Sequence, residues 1–358
     1  FYPKDPAFRE RFAPRGVIRS YADGRVEDTG PLTRKRMETV DQEFTDAALK
    51  FIDRAHEDDK PFFVWFNATR MHVWTRLAPE WDGKSGYGLY ADGLMEHDHH
   101  VGQLLDKIDQ LGIADNTIVI YSTDNGSQTG TYPDAGVEPF RGEKGSTWEG
   151  GFRVPAMIRW PGVVKPGTVI NDIVSHQDWL PTFLAAAGEP GIADKLKKGH
   201  RAGDRTYRVH LDGYDQTDLL SGKGPGKREN IFYFDDNANF NAIRWNDWKI
   251  HFAFQMDGWS GPREALNFPR VVNLRTDPYE TSLDSGLYAR FFADQLWLFV
   301  PTQQEVGKWL MTFREFPPRQ ATASFTIDNM MQGMQQMLQV RAMGGAGAAA
   351  ATGQRPGK

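Results

Sequence analysis

The sequence contains no cysteine. That excludes disulfides, thiolate metal sites and a cysteine nucleophile, and leaves the redox compartment undecided. No apolar run reaches the roughly 18 residues a membrane-spanning helix needs, and the residues from Phe1 onward do not read as a signal peptide. Positive charge is not in excess: the net charge is −5, which gives no support to a nucleic acid or other polyanion as partner. No internal repeat is visible. Against these absences stand an ordinary hydrophobic content of 40%, a charged content of 25% and a length of 358 residues, enough for a large core and more than one domain.

The stretch from Tyr121 to Gly162 organises the reading. Thr117-Ile118-Val119-Ile120-Tyr121 is a short, β-branched apolar run of the kind found in buried strands. At its end stand Asp124, Asn125 and Gly126. A carboxylate beside an amide oxygen at the carboxyl end of a strand suits Ca²⁺ or Mg²⁺; Asn-Gly is also a common turn, and these residues alone leave both readings open. Lys144 follows, between Gly142 and Gly145, where glycines permit close backbone approach and a lysine can meet an oxyanion. Trp148-Glu149-Gly150-Gly151-Phe152-Arg153-Val154-Pro155 completes the constellation.

Taken together, YSTDNG at 121–126, RGEKGSTWEGGFRVP at 141–155 and the WPG turn at 160–162 resemble the sulfatase family, the type-I arylsulfatases of the alkaline-phosphatase superfamily. The resemblance runs from about Arg25 to Phe316. It implies an α/β fold: an alkaline-phosphatase-like, mostly parallel sheet between helices, here incomplete, followed by a small carboxyl-terminal antiparallel sheet with a helix. It also implies site roles. Asp124 and Asn125 would hold Ca²⁺, ahead of Mg²⁺. Lys144 would bind the sulfate, and His72 would contact the sulfate or the ester oxygen and protonate the leaving alcohol. Trp148 would pack under the site, at the edge of substrate binding. Arg141, Glu149 and Arg153 read as loop scaffolding. His72 follows a PFF-type strand as the family's histidine does, but Met71 and Val73 stand where the family usually has prolines.

Along the chain, 1–36 is rich in Pro, Gly and charge and reads as loop. Thr39 to His56 carries Val40, Phe44, Ala47, Ala48, Phe51 and Ile52 at helical spacing. Phe62-Phe63-Val64-Trp65-Phe66 reads as a strand buried on both faces. Tyr87 to Gly112 reads as a helix with Leu94, Val101, Leu104, Leu105, Ile108 and Leu111 on one face. His97 and His100 share a side of it, more readily as packed or solvated histidines than as a metal pair. Val154 to Trp160 is a further strand. Asp178 or Thr182 caps a helix that Gly188 ends; His176, just before it, reads as positioning rather than as a second acid or base. Four strands follow, at 231–234, 242–245, 248–252 and 271–275, with Asn246-Asp247 as a hairpin turn and Phe291 to Phe313 as one long covering helix. Met330, Met331, Met334 and Met337 fall on one side of a short helix, and Gly344 to Lys358 reads as a disordered tail. The domains expected are 1–224 for the catalytic α/β part, 225–318 for the small subdomain and 319–358 for the Met-rich segment and tail.

The family's first strand with paired aspartates, and its Cys-or-Ser-x-Pro-x-Arg motif whose first residue becomes formylglycine, have no counterpart here. Ser260-Gly261-Pro262-Arg263 is one residue short of that motif. Two oxygens from Asp124 and Asn125 also fall short of the six to eight that Ca²⁺ takes. The expectation is a sulfatase lacking its amino-terminal third, inactive alone, acting in its complete form on a small-molecule or glycan sulfate ester in the periplasm or outside the cell. A phosphodiesterase or phosphonate hydrolase of the same superfamily, and a catalytically dead fragment or pseudoenzyme, remain the alternatives. Neither the substrate nor the oligomeric state is legible.

Overall fold

The computed structural model describes residues 6–7, 10, 16–256, 258 and 261–319. The Met-rich segment, the Gly/Ala tail and Ser260 lie outside the described residues. By its internal contacts the chain forms two units: Phe1–Glu138 with Val154–Val169, and Pro139–Arg153 with Ile170–Lys358. Residue 224, the boundary expected from sequence, lies inside the second. No helix among the described residues is long and apolar enough to cross a membrane.

The first unit opens with a hairpin, β1 (Gly16–Ser20) and β2 (Val26–Pro31), where loop was expected. Its signal was Asp23-Gly24: Gly24 takes φ +83° and donates to Tyr21 O at 3.0 Å, closing the turn. Helix α1 (Val40–Glu57) matches the periodic stretch, yet its buried face includes Asp41 and Thr45 beside Val40, Ile52 and Ala55. Helix α2 (Leu89–Gln110) departs further. Ile108 is buried, but Leu94 is exposed, and the deeply buried positions Asp92, Glu96 and His100 are polar and four residues apart. Polar groups are buried there because each carboxylate has donors: Asp92, for instance, accepts from Gly83 N at 2.8 Å and Ser85 N at 2.7 Å.

Strand β3 (Val119–Ser122) pairs antiparallel with β4 (Ala156–Arg159) in the register Val119↔Arg159 to Ser122↔Ala156. The run Phe62–Phe66 is not a strand among the described residues. It alternates instead, with Phe63 66% and Trp65 79% exposed and Phe62, Val64 and Phe66 half-buried. The expected burial on both faces fails because a fully apolar run does not specify a partner, and only one side of this one is covered.

In the second unit the segment before β4 forms the short helix α3 (Glu149–Phe152), and α4 (Trp179–Ala186) is ended by Gly188 at φ +93°. Asp178 stands at the start of α4 without a side-chain cap bond, and Thr182 sits inside the helix. A small hairpin, β5 (His200–Ala202) and β6 (Arg205–Tyr207), precedes the main sheet. That sheet is a four-stranded antiparallel meander: β7 (Asn230–Phe234), β8 (Phe240–Trp245), β9 (Trp248–Gln255) and β10 (Arg263–Asn273). Asn246, at φ +53°, turns β8 into β9 as expected. One face carries the core: Ile243, Ile250, Val271 and Leu298, flanked by Phe232, Phe240, Phe252, Phe292 and Phe299. Burial on this scale contributes about 2 kcal/mol per large aliphatic side chain. The covering helix is broken into α5 (Tyr288–Asp294), a 3₁₀ turn at Leu296–Leu298 and α6 (Phe299–Glu315). Pro301 explains the break, since it has no N–H to donate one turn back and is tolerated only in a helix's first turn.

Candidate active site

The sequence-derived residues divide between the units: His72, Asp124 and Asn125 in the first, Lys144 and Trp148 in the second. In the first unit, β3 delivers Asp124 and Asn125 to its carboxyl end. Asp124 is exposed, with one long contact from Thr123 Oγ1 at 3.4 Å. Asn125 donates from Nδ2 to Gly126 O at 2.9 Å, which leaves its Oδ1 as an acceptor. The following loop is pinned by Ser127 N to Glu138 Oε1 at 3.1 Å and carries the buried Tyr132.

Tyr132 ties this loop to the one bearing His72, donating its hydroxyl to His72 O at 2.6 Å. The same carbonyl accepts from Thr75 N at 3.0 Å and Thr75 Oγ1 at 2.8 Å, while His72 N donates to Thr69 O at 2.9 Å. The backbone of His72 is therefore fixed, and its imidazole is exposed. Beneath it lies a buried charge cluster. Asp41 accepts from Thr69 N at 2.9 Å and Arg70 N at 3.1 Å; Arg70 meets Glu96 through two 3.0 Å bonds, Nε to Oε2 and Nη2 to Oε1. Arg70, Asp41 and Glu96 are essentially sealed from solvent. Burial pushes the Glu96 carboxyl up from its ordinary value, and Arg70 pulls it part of the way back. A Cβ at position 93 would collide with Met71 Sδ, so Gly93 is what lets the His72 loop lie against α2.

His97 and His100 are held below the ordinary histidine range by burial, and each has a buried Nδ1 without a partner. Among the described residues no three His, Asp or Glu side chains are grouped to hold a metal. His176 is exposed on its 3₁₀ turn, while Asp178 behind it is fully buried. The Asp178 carboxylate takes Arg228 Nη2 at 2.7 Å, Ser175 N at 2.9 Å and Tyr214 N at 2.9 Å.

In the second unit, Lys144 sits in a tight turn between Glu143 and Ser146. Ser146 N and Oγ both donate to Glu143 O, at 2.9 and 2.6 Å, and Gly142 and Gly145 take φ +77° and +84°. Trp148 is 2% exposed, stacked 5.0 Å from Phe254 with Arg141 4.0 Å above its ring. It supports the turn from beneath and offers no face to solvent. Glu149 begins α3 and is anchored on the sheet. Its Oε1 accepts from Tyr233 OH at 2.7 Å and Lys249 Nζ at 3.1 Å, and its N–H donates to Glu280 Oε2 at 2.8 Å. Lys249 also meets Glu280 Oε1 at 3.1 Å, where His251 Nε2 lies at 3.0 Å. Burial would raise the Glu280 carboxyl, but Lys249 and His251 outweigh it and hold it down at about 2. Burial keeps His251 below its usual range.

Sequence reasoning missed Asp41, Arg70 and Glu96, and the second half of the Glu149 cluster. One signal was available: in β9 the polar Lys249 and His251 alternate with Trp248, Ile250 and Phe252. That alternation reads as a solvent face, yet Lys249 and His251 are fully buried.

A sequence model of the family described as Sulfatase matches residues 5–189. Arylsulfatase A of Homo sapiens is 34% identical over 206 residues, covering 56% of this chain and 38% of that protein. Steryl-sulfatase of Homo sapiens is 30% identical over 227 residues, covering 60% of this chain and 36% of the relative. The chain thus spans less than half the length of these curated relatives. The crystal structure of the PsFucS1 sulfatase from Pseudoalteromonas sp. superposes with a TM-score of 0.74 at 26% identity, over 88% of this chain and 61% of that one. The fold is accordingly the alkaline-phosphatase-like α/β fold with a small antiparallel carboxyl-terminal sheet. The matched span contains His72, Asp124, Asn125, Lys144 and Trp148, and the chain belongs to the sulfatase family.

Proposed function

We propose that the protein to which this chain belongs hydrolyses a sulfate ester of the arylsulfatase-like class. The observation that carries this reading is that the family match covers every candidate residue, from His72 to Trp148. Relatives named arylsulfatase A and steryl-sulfatase support it.

Asp124 and Asn125 would hold Ca²⁺, with Mg²⁺ second. The donors fit a hard cation: one exposed carboxylate and one amide oxygen whose own nitrogen is already engaged. They furnish two of about six to eight oxygens, so further ligands come from elsewhere. When bound, the ion polarises the sulfate oxygens. Lys144 neutralises charge on the sulfate as the transition state forms. His72, its backbone fixed and its ring exposed, gives a proton to the departing alkoxide oxygen. The nucleophile is a formylglycine borne outside these 358 residues, which contain no Cys-or-Ser-x-Pro-x-Arg motif; turnover by this chain alone is not expected. A small-molecule or glycan sulfate is the substrate class, met in the periplasm or after secretion.

The test is hydrolysis of 4-methylumbelliferyl sulfate by the protein purified from its natural source, with bis(4-nitrophenyl) phosphate as competitor substrate. Sulfate ester turnover that is lost in the His72→Ala and Lys144→Ala variants is expected. Preference for the phosphodiester would overturn the reading.

A further inference from the structure

The turn carrying Lys144 is built so that it cannot be moved independently of α3. Gly150 N donates to Arg141 O at 2.7 Å, and a Cβ at position 150 would come 2.5 Å from Arg141 O and 2.8 Å from Phe140 O. A Cβ at 151 would stand 2.7 Å from both Glu143 O and Ser146 O. These are backbone atoms, so the turn and the helix behave as one rigid piece. That piece touches the antiparallel sheet through charge as well as through the rings of Trp148 and Phe152. Glu149 and Glu280 are two buried carboxylates joined through a single cation, Lys249, which is itself fully buried on β9. Arg244 lies farther off, 3.8 Å from Glu149 Oε2. Glu280 stands in the left-handed region at φ +54° and accepts from Glu149 N, while its carbonyl accepts from Arg141 Nη1 at 2.9 Å. Arg141 and Glu149 thus flank Lys144 in sequence, and Glu280 is hydrogen-bonded to both. Gly258 backs it too: a Cβ there would stand 3.1 Å from Lys144 O.

We propose that Lys249 is a positioning residue for Lys144, a buried cation that clamps Glu149 and Glu280 together and so fixes the lysine turn on the carboxyl-terminal sheet. Removing one partner of such a cluster leaves an unpaired buried charge, which the structure relieves by letting the least constrained element go. The sheet has its own apolar core on the opposite face, built on Ile243, Ile250, Val271 and Leu298. Beyond the charge cluster the turn and α3 rest on the sheet by the rings of Trp148 on Phe254 and Phe152 on Tyr233, a smaller apolar contact than that core, and the turn is the element expected to loosen. Only the statement that Lys144 meets sulfate rests on the sulfatase reading; the clamp does not.

The experiment compares Lys249→Met, Lys249→Arg and Glu149→Gln in the full-length protein. Peptide-resolved hydrogen exchange is read alongside affinity for inorganic sulfate. Lys249→Met is expected to speed exchange across 141–152 at least about tenfold, with β8 changed by less than about twofold. Sulfate affinity and KM for a sulfate ester should weaken about tenfold together while kcat falls less, and Lys249→Arg should restore most of both. If Lys249→Met does not fold, Glu149→Gln keeps the volume and the Tyr233 acceptor and should show the same selective loosening. Uniform acceleration over the whole sheet, or none at 141–152, overturns the proposal. Selective loosening in a protein whose wild type neither binds nor cleaves sulfate leaves the clamp standing and removes the sulfatase reading instead.

Discussion

Replacing Arg70 by Met should be among the most costly single changes in the first unit, because it strands a buried carboxylate. The guanidinium supplies both direct side-chain donors of Glu96, at 3.0 Å each, and a weaker 3.4 Å contact to Asp41. Asp41 would survive the change better, because Thr69 N and the backbone N of residue 70 still donate to it. Glu96 would be left 2% exposed without a counter-ion, keeping the backbone N–H of Ala78. Stranding a buried charge costs about 3–5 kcal/mol, and the loss of the donor to Glu38 O at 3.1 Å adds to it. The carboxyl has an escape: it can take a proton. Burial already raises it with Arg70 present, and without Arg70 it rises further. The destabilisation should therefore be larger at pH 8 than at pH 5, because acid lets Glu96 take up a proton and shed its charge. Urea unfolding at both pH values measures this, and Arg70→Met/Glu96→Gln should recover part of the loss, as groups in contact couple by about 0.5–3 kcal/mol. A cost below about 1 kcal/mol at pH 8, or one independent of pH, would refute the idea that Arg70 exists to hold two buried carboxylates under the His72 loop.

Acid should weaken the second unit in two stages. Buried His251 is depressed, so the unfolded chain binds a proton first as pH falls through the ordinary histidine range; Glu280, at about 2 against an ordinary 4.5, then loses its contribution between those values, worth about 3 kcal/mol. A pH series of thermal melts with constant stability from pH 7 to 3 would contradict this. Gly150→Ala should cost about 1–3 kcal/mol because its Cβ meets backbone oxygens, whereas Gly102→Ala in α2, whose Cβ meets nothing, should gain about 0.5–1 kcal/mol; chemical denaturation of the pair gives the sign of each. Calcium should raise the melting temperature of the full-length protein, by the equivalent of about 2.7 kcal/mol at a hundredfold excess over Kd, and Asp124→Ala should abolish that rise.

How much of this was legible beforehand follows from the range of the interactions involved. Helix α1, the turn at Asn246 and the strand leading to Asp124 are fixed by neighbours within a few residues, and their patterns sit in the sequence. The candidate residue Lys144, named by the family resemblance, is local for a different reason: it is held by glycines and a serine inside its own motif, so motif and geometry are the same local object. Two misses had local signals, the Asp23-Gly24 turn and the break before Pro301; the others were long in range. The Phe62–Phe66 run names no partner. The buried charges are the sharpest case. A period-2 or period-3.6 pattern assigns every Lys, Glu and Asp to solvent, and it is right unless a partner arrives from far along the chain. Glu149 finds Lys249 a hundred residues on and Glu280 a hundred and thirty-one residues on, and Arg70 finds Glu96 across a loop and half a helix. No single position in that set betrays its role, because burying any one of them alone would be prohibitive. They become legible only as a group, and the group exists only once the sheet and helices have brought it together. The residues proposed to do chemistry are thus written locally, and the contacts proposed to hold them still are written in pairs across the fold.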